Sequence, residues 1–173
     1  MEIPKIPENT LTEEITEIVN LCKEISLERG EFYSSFNPPA IENEITEWET
    51  KNGLKIPESY KDWLRFSNGS VICGSLTELY SINEIQMYDE PDIEDYVIIG
   101  SVIGDGEILC FSKNTGKIFT DNHGEIREYI NLKKLLEWTL DRIKDNICYL
   151  EPTSKNNISK KSEDLLMKMV AEQ

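Results

Sequence analysis

Between Met87 and Tyr96 the chain reads M-Y-D-E-P-D-I-E-D-Y, five carboxylates (Asp89, Glu90, Asp92, Glu94 and Asp95) around one proline. Calcium is the ion that such oxygen-rich segments serve, but an EF-hand loop needs a glycine at its sixth position and a glutamate at its twelfth. Both are missing, so the segment reads as a solvated acidic loop facing a partner. The four cysteines, Cys22, Cys73, Cys110 and Cys148, stand far apart in apolar contexts with none of the paired spacings of a zinc site. They read as reduced core thiols. The one histidine, His123, lies in D-N-H-G, a turn that exposes it to solvent. Gly100-x-x-x-Gly104-x-Gly106 is not a dinucleotide fingerprint and no phosphate-loop lysine follows it. G-x-S-x-G is absent, and among many carboxylates no pair stands out for hydrolytic chemistry. The expectation is a binding protein: not an enzyme, without cofactor or metal.

Charge gives that expectation a direction. The formal net charge is −15 over 173 residues. Residues 1–100 hold 21 acidic and 7 basic side chains, so nearly the whole excess lies there. Such a surface repels phosphate backbones, which argues against direct nucleic-acid binding, and steers basic partners inward. No apolar run approaches the roughly 20 residues that span a bilayer. The start, M-E-I-P-K-I-P-E-N-T, has neither a basic nor an apolar signal region. A cytoplasmic protein that does not enter membranes is expected.

The elements that must position these residues follow from periodicity. Thr10 with Glu13 forms a candidate capping box. Leu11, Ile15, Ile18, Cys22 and Ile25 then make one apolar stripe on a helix ending at Gly30, opposite Glu13, Glu14, Glu17, Glu24 and Glu28. Phe32, Tyr33 and Phe36 are expected to pin the following connection to the domain. A second helix, 41–52, should bury Ile41, Ile45 and Trp48 and expose Glu42, Glu44, Glu47 and Glu49. It closes at Gly53, and Pro57 opens a third helix with Tyr60, Trp63 and Leu64 on one face, stopping at Asn68-Gly69. From Val71 the period shortens to that of strands: 76–82, 96–100, 107–112, 117–120 and 125–130, joined by tight turns. Asn131 caps a last amphipathic helix. The fold class is therefore α+β, a mostly antiparallel twisted sheet packed by helices in a single domain. Residues 1–36 form an arm and amphipathic helix, 37–150 the core, and 151–173 a linker with a short helix.

The stretch Ile45, Trp48, Glu49, Gly53, Ile56, Pro57, Tyr60, Trp63, Leu64, Asn68, Gly69 resembles the SUKH superfamily, which includes fungal Smi/Knr-type cell-wall-assembly regulators and many bacterial immunity proteins. Ile56 stands where leucine is usual, and Ser70 where a second glycine is common. The resemblance implies a binding protein: an immunity protein occluding a basic, nuclease-type toxin domain, or alternatively a cell-wall-assembly-type scaffold for an endogenous protein. The partner contact is expected on Glu58, Asp62, Glu78, Asp89, Glu90, Asp92, Glu94, Asp95 and Asp105, with Trp48, Tyr60 and Trp63 in the core.

Overall fold

The computed structural model describes residues 2–29, 33–87, 95–103 and 106–148. Among them, helix α1 (Thr12–Arg29) is followed by strand β1 (Ser35–Phe36), helices α2 (Glu42–Asn52) and α3 (Glu58–Leu64), strands β2 (Ser70–Ile72), β3 (Thr77–Leu79), β4 (Gln86–Met87), β5 (Tyr96–Val102), β6 (Glu107–Ser112), β7 (Ile118–Asn122) and β8 (Glu125–Tyr129), and helix α4 (Leu132–Cys148). The architecture is α+β. The chain divides into two units at Leu140, and the described part of the second, residues 141–148, is the end of α4. No helix among the described residues is long and apolar enough to cross a membrane.

Every strand pairing is antiparallel, in the order β1-β2-β3-β5-β6-β7-β8 with β4 also on β5. β3 and β4 lie along the same strand, on either side of a bulge between Ile98 and Gly100. There the Ile99 carbonyl accepts the Tyr80 N–H at 2.8 Å. Gly100 is required by packing: a Cβ at that position would overlap the Glu78 carbonyl oxygen of β3. The β7–β8 hairpin turns on His123 and Gly124, at φ 52° and 95°. Positive φ at both central residues is the geometry that matches a two-residue loop to the twist of its strands. His123 is exposed there.

One sheet face carries the buried row Phe36, Ser70, Leu79, Gly100, Leu109 and Thr120, aligned strand to strand. Thr77 of this face is 2.9 Å from Thr139 of α4, hydroxyl to hydroxyl. Leu132, Leu135, Leu136 and Leu140 of α4 are buried, and Asn131 caps the helix by accepting the Lys134 N–H at 3.2 Å. Leu11, just ahead of α1, and Ile15, Ile18, Cys22 and Ile25 of α1 are buried as a stripe.

Several side chains lie elsewhere than expected. Thr10 does not cap α1, because its hydroxyl donates to Asp62 of α3 at 2.6 Å; just ahead of the helix the Asn9 side chain accepts the Leu11 N–H at 2.9 Å. Glu14 is buried and paired with Lys133 at 3.0 Å, so it leaves the acidic face of α1. Phe36 is buried against Phe66, with ring centroids 5.3 Å apart, whereas Tyr33 is exposed. Phe32 and Gly30 fall outside the described residues. Ile41 is exposed ahead of α2 and Trp48 is half-buried, while Glu49, expected at the surface, is buried.

Candidate partner-binding surface

Glu49 shows what the segment from α2 to α3 is built for. It lies in the last turn of α2, where the helix dipole disfavours an anion. Its carboxylate nevertheless accepts the Ile56 N–H at 3.0 Å and pairs with Lys55 at 2.6 Å and Lys61 at 3.2 Å. Burial opposes its ionisation, but the hydrogen bonds from Lys55, Ile56 and Lys61 outweigh that cost and hold the carboxyl below the usual glutamate range. Gly53, at φ 64°, turns the chain out of α2 so that the link 54–56 passes under this carboxylate. Tyr60 and Trp63 are fully buried, and the Tyr60 hydroxyl donates to the Tyr80 carbonyl at 2.7 Å. Asn68 accepts the Ile82 N–H at 2.7 Å through its side chain. The whole stretch fastens helix to sheet.

The same lattice of charges absorbs two acids expected to face a partner. Asp62, 8% exposed, takes the Thr10 hydroxyl and Arg65 at 3.0 Å. That burial under the N-terminal arm removes it from the accessible set. Glu58 is exposed but pairs with Lys61 at 2.5 Å and approaches Arg65 at 3.8 Å; Arg65 in turn reaches Glu42 at 2.6 Å. Four carboxylates here share three cations, leaving little field outside.

Glu78 has a different setting. Strand register places Ser35, Val71, Glu78, Ser101, Ile108, Asp121 and Ile126 in one line across β1, β2, β3, β5, β6, β7 and β8. Residues opposite one another in register share a face, and this line lies on the face away from the buried row. Except for Ser101, its members are half-buried or exposed. Glu78 accepts the Ser101 hydroxyl at 3.4 Å and Asp121 accepts the Gly124 N–H at 2.7 Å. At the β1–β3 end the line opens into a groove of about 160 Å³ bordered by Asn37, Gly69, Glu78 and Glu84. Glu84 accepts the Ser81 hydroxyl and N–H at 2.7 and 3.0 Å, which hold its carboxyl below the usual range. Among the described residues none of Glu78, Glu84 and Asp121 makes an ion pair. Chemically, the face offers carboxylates set among Val71, Ile108 and Ile126, suited to basic side chains with aliphatic stems.

Asp95 is exposed at the start of the β-meander, where its side chain accepts Asn114 Nδ2 at 3.0 Å. Asp89, Glu90, Asp92, Glu94 and Asp105 fall outside the described residues. Sequence reading missed Glu84 and Asp121; an alternation count in β7 would have placed Asp121 on the face of Phe119, but only pairing register aligns it with Glu78.

The model of the SMI1 / KNR4 family (SUKH-1) matches residues 39–159, well over half of the chain. The chain belongs to the SMI1/KNR4 family. A search of curated proteins finds no match. The matched span begins just before α2 and takes in the Glu49 lattice, the complete sheet from β2 and α4. α1 and the arm before it lie outside it, although the Thr10 side chain of the arm and Cys22 of α1 touch α3 and the β2–β3 turn.

Proposed function

We propose that this SMI1/KNR4 chain is an immunity-type protein of the cytoplasm that neutralises a basic toxin domain, of nuclease type, by one-to-one occlusion. It acts by binding and not by catalysis. The observation that carries the reading is the line from Ser35 to Ile126, in which Glu78 and Asp121, neither in an ion pair among the described residues, stand among Val71, Ile108 and Ile126, on a chain of net charge −15. A nuclease holds phosphate in a cationic groove. An acidic sheet face entering that groove competes with nucleic acid for the same lysines and arginines, and long-range attraction speeds the encounter. The exposed Asp95, the acidic segment Asp89, Glu90, Asp92 and Glu94, and Asp105 add to the attracting field.

Co-expression with toxin domains encoded beside this chain tests the reading. Survival of the cells, and a complex that reaches equivalence at one toxin per chain, are the expected results. The double variant Glu78→Lys, Asp121→Lys should slow association at least tenfold and flatten its salt dependence while leaving the melting temperature within a few degrees. If none of the neighbouring toxin domains is inhibited and an endogenous cell-wall-assembly protein binds instead, the scaffold reading replaces this one.

A further inference from the structure

Two cysteines separated by 51 positions in the sequence meet in the fold. Cys22 of α1 and Cys73 at the β2–β3 turn have their sulfurs 3.7 Å apart. Both are thiols, with Cys22 1% and Cys73 9% exposed. The turn that presents Cys73 is unusual: Cys73, Gly74 and Ser75 have φ of 48°, 65° and 70°. A left-handed conformation at two non-glycine positions of a three-residue run is disfavoured and persists only where surrounding contacts impose it. Here the Cys73 N–H is held by the Ser34 hydroxyl at 2.9 Å, and the Gly74 N–H by the Tyr33 carbonyl at 2.8 Å. The turn aims the Cys73 sulfur at α1.

We infer that Cys22 and Cys73 form a dithiol site that takes a hydroperoxide as oxidant and closes to a disulfide tying α1 to the β2–β3 turn. Closing needs the sulfurs to approach from 3.7 Å to about 2.05 Å. Cys22 is the attacking sulfur. A hydrogen bond from the Cys73 thiol, opposed by burial and aided by the Ser34 hydroxyl, shifts it toward the thiolate, the form that attacks. The same contact pushes Cys73 upward, so it remains a thiol and serves as the resolving partner. In the first step the Cys22 thiolate attacks one peroxide oxygen; the O–O bond breaks, Cys22 becomes a sulfenic acid, and hydroxide leaves and takes a proton. In the second step the Cys73 sulfur attacks the Cys22 sulfur, the S–O bond breaks, and the hydroxyl departs with the Cys73 proton as water. Two thiols and one hydrogen peroxide thus give one disulfide and two waters. Cys110 supplies an internal contrast: fully buried beside Ile98 and Phe119, it is pushed up to about 12 by burial and has no described thiol neighbour.

The test uses the purified full chain, reduced and then treated with hydrogen peroxide at neutral pH. The expected product has lost two hydrogen masses, and a non-reducing peptide map joins the segments containing Cys22 and Cys73. Its melting temperature rises by several degrees and returns to the starting value with dithiothreitol. Cys110→Ser closes at the wild-type rate, whereas Cys73→Ser stops at a sulfenic acid on Cys22 that dimedone traps. Added oxygen on Cys22 or Cys73 of the wild type without a link, a link through Cys110 or Cys148, or no reaction under conditions that oxidise free cysteine would each overturn the inference. The peptide map is read on the wild type and does not depend on any variant folding.

Discussion

Replacing Glu49 by alanine isolates the device that joins α2 to α3. The substitution removes a side chain that is 7% exposed and leaves the buried Ile56 N–H without its acceptor. An orphaned buried donor costs about 1–3 kcal/mol. Lys61 retains Glu58 at 2.5 Å, and Lys55, with a side chain 84% exposed, returns to water at little cost. Breaking a deeply buried pair would cost about 3–5 kcal/mol, but Glu49 lies just beneath the surface, roofed by a lysine that water reaches, so solvent screening keeps the charge contribution small. The total is about 2–3 kcal/mol. For a chain of this size that corresponds to a fall in melting temperature of roughly 5–10 °C, measurable by calorimetry or circular dichroism. Glu49→Gln keeps an oxygen for the Ile56 N–H and should lose only about 1 kcal/mol; Lys55→Ala should stay within about 0.5 kcal/mol of wild type. An alanine variant as stable as wild type would refute the role assigned to the carboxylate. A glutamine variant as damaged as alanine would show that charge, not the N–H contact, dominates.

Gly100→Ala should destabilise by at least about 2 kcal/mol, because the added methyl overlaps a backbone oxygen of β3 that cannot move without parting the strands; urea unfolding reads it, and a neutral result would disprove the close approach. Acid should also unfold the protein through its depressed carboxylates. Glu42, held below the usual range by Arg65, joins Glu49 and Glu84. A carboxylate whose folded pKa is lowered contributes stability that is fully present above its unfolded value, about 4.3, and is lost as pH falls through the folded value. The melting temperature should therefore hold near neutral pH and drop below about pH 4, with a shallower drop in Glu49→Gln; an unchanged acid limb in that variant would contradict the assignment.

Features set by neighbours in sequence were legible from sequence. Gly53 and Pro57 work within one turn of the helices they end and begin, Asn131 caps by reaching three residues ahead, and His123-Gly124 is a turn decided by two φ angles. The apolar stripe of α1 follows from helical period alone. What depended on distant partners was not legible. β1 and β4 are two residues each and exist as strands only through pairing with β2 and β5. Glu49 resembles its exposed neighbours in composition, and only the return of the chain through Ile56 and Lys61 makes it internal. Thr10 looked like a cap because the competing acceptor, Asp62, lies 52 residues away. Cys22 and Cys73 are likewise unrelated until α1 packs beside the β2–β3 turn.

The same distinction decides where binding should be sought. An acid matters to a partner through the field it retains after its own neighbours are counted. Beside the recognisable α2–α3 stretch, Lys55, Lys61 and Arg65 sit within 4 Å of carboxylates, and a partner's lysine approaching there would compete with cations already in place. On the sheet and in the turn before β4, Glu78, Asp121 and Glu84 are steadied by hydroxyl and backbone donors, which fix their direction without cancelling their charge. Hydrogen bonds of this kind hold a carboxylate's orientation in the free protein, so less ordering remains to be done when a basic side chain arrives. The stretch that identifies the family consumes its charge internally in holding the fold, while the sheet it supports keeps charge in reserve at the surface. Charge reversal at Glu58 should consequently change association less than the same reversal at Glu78.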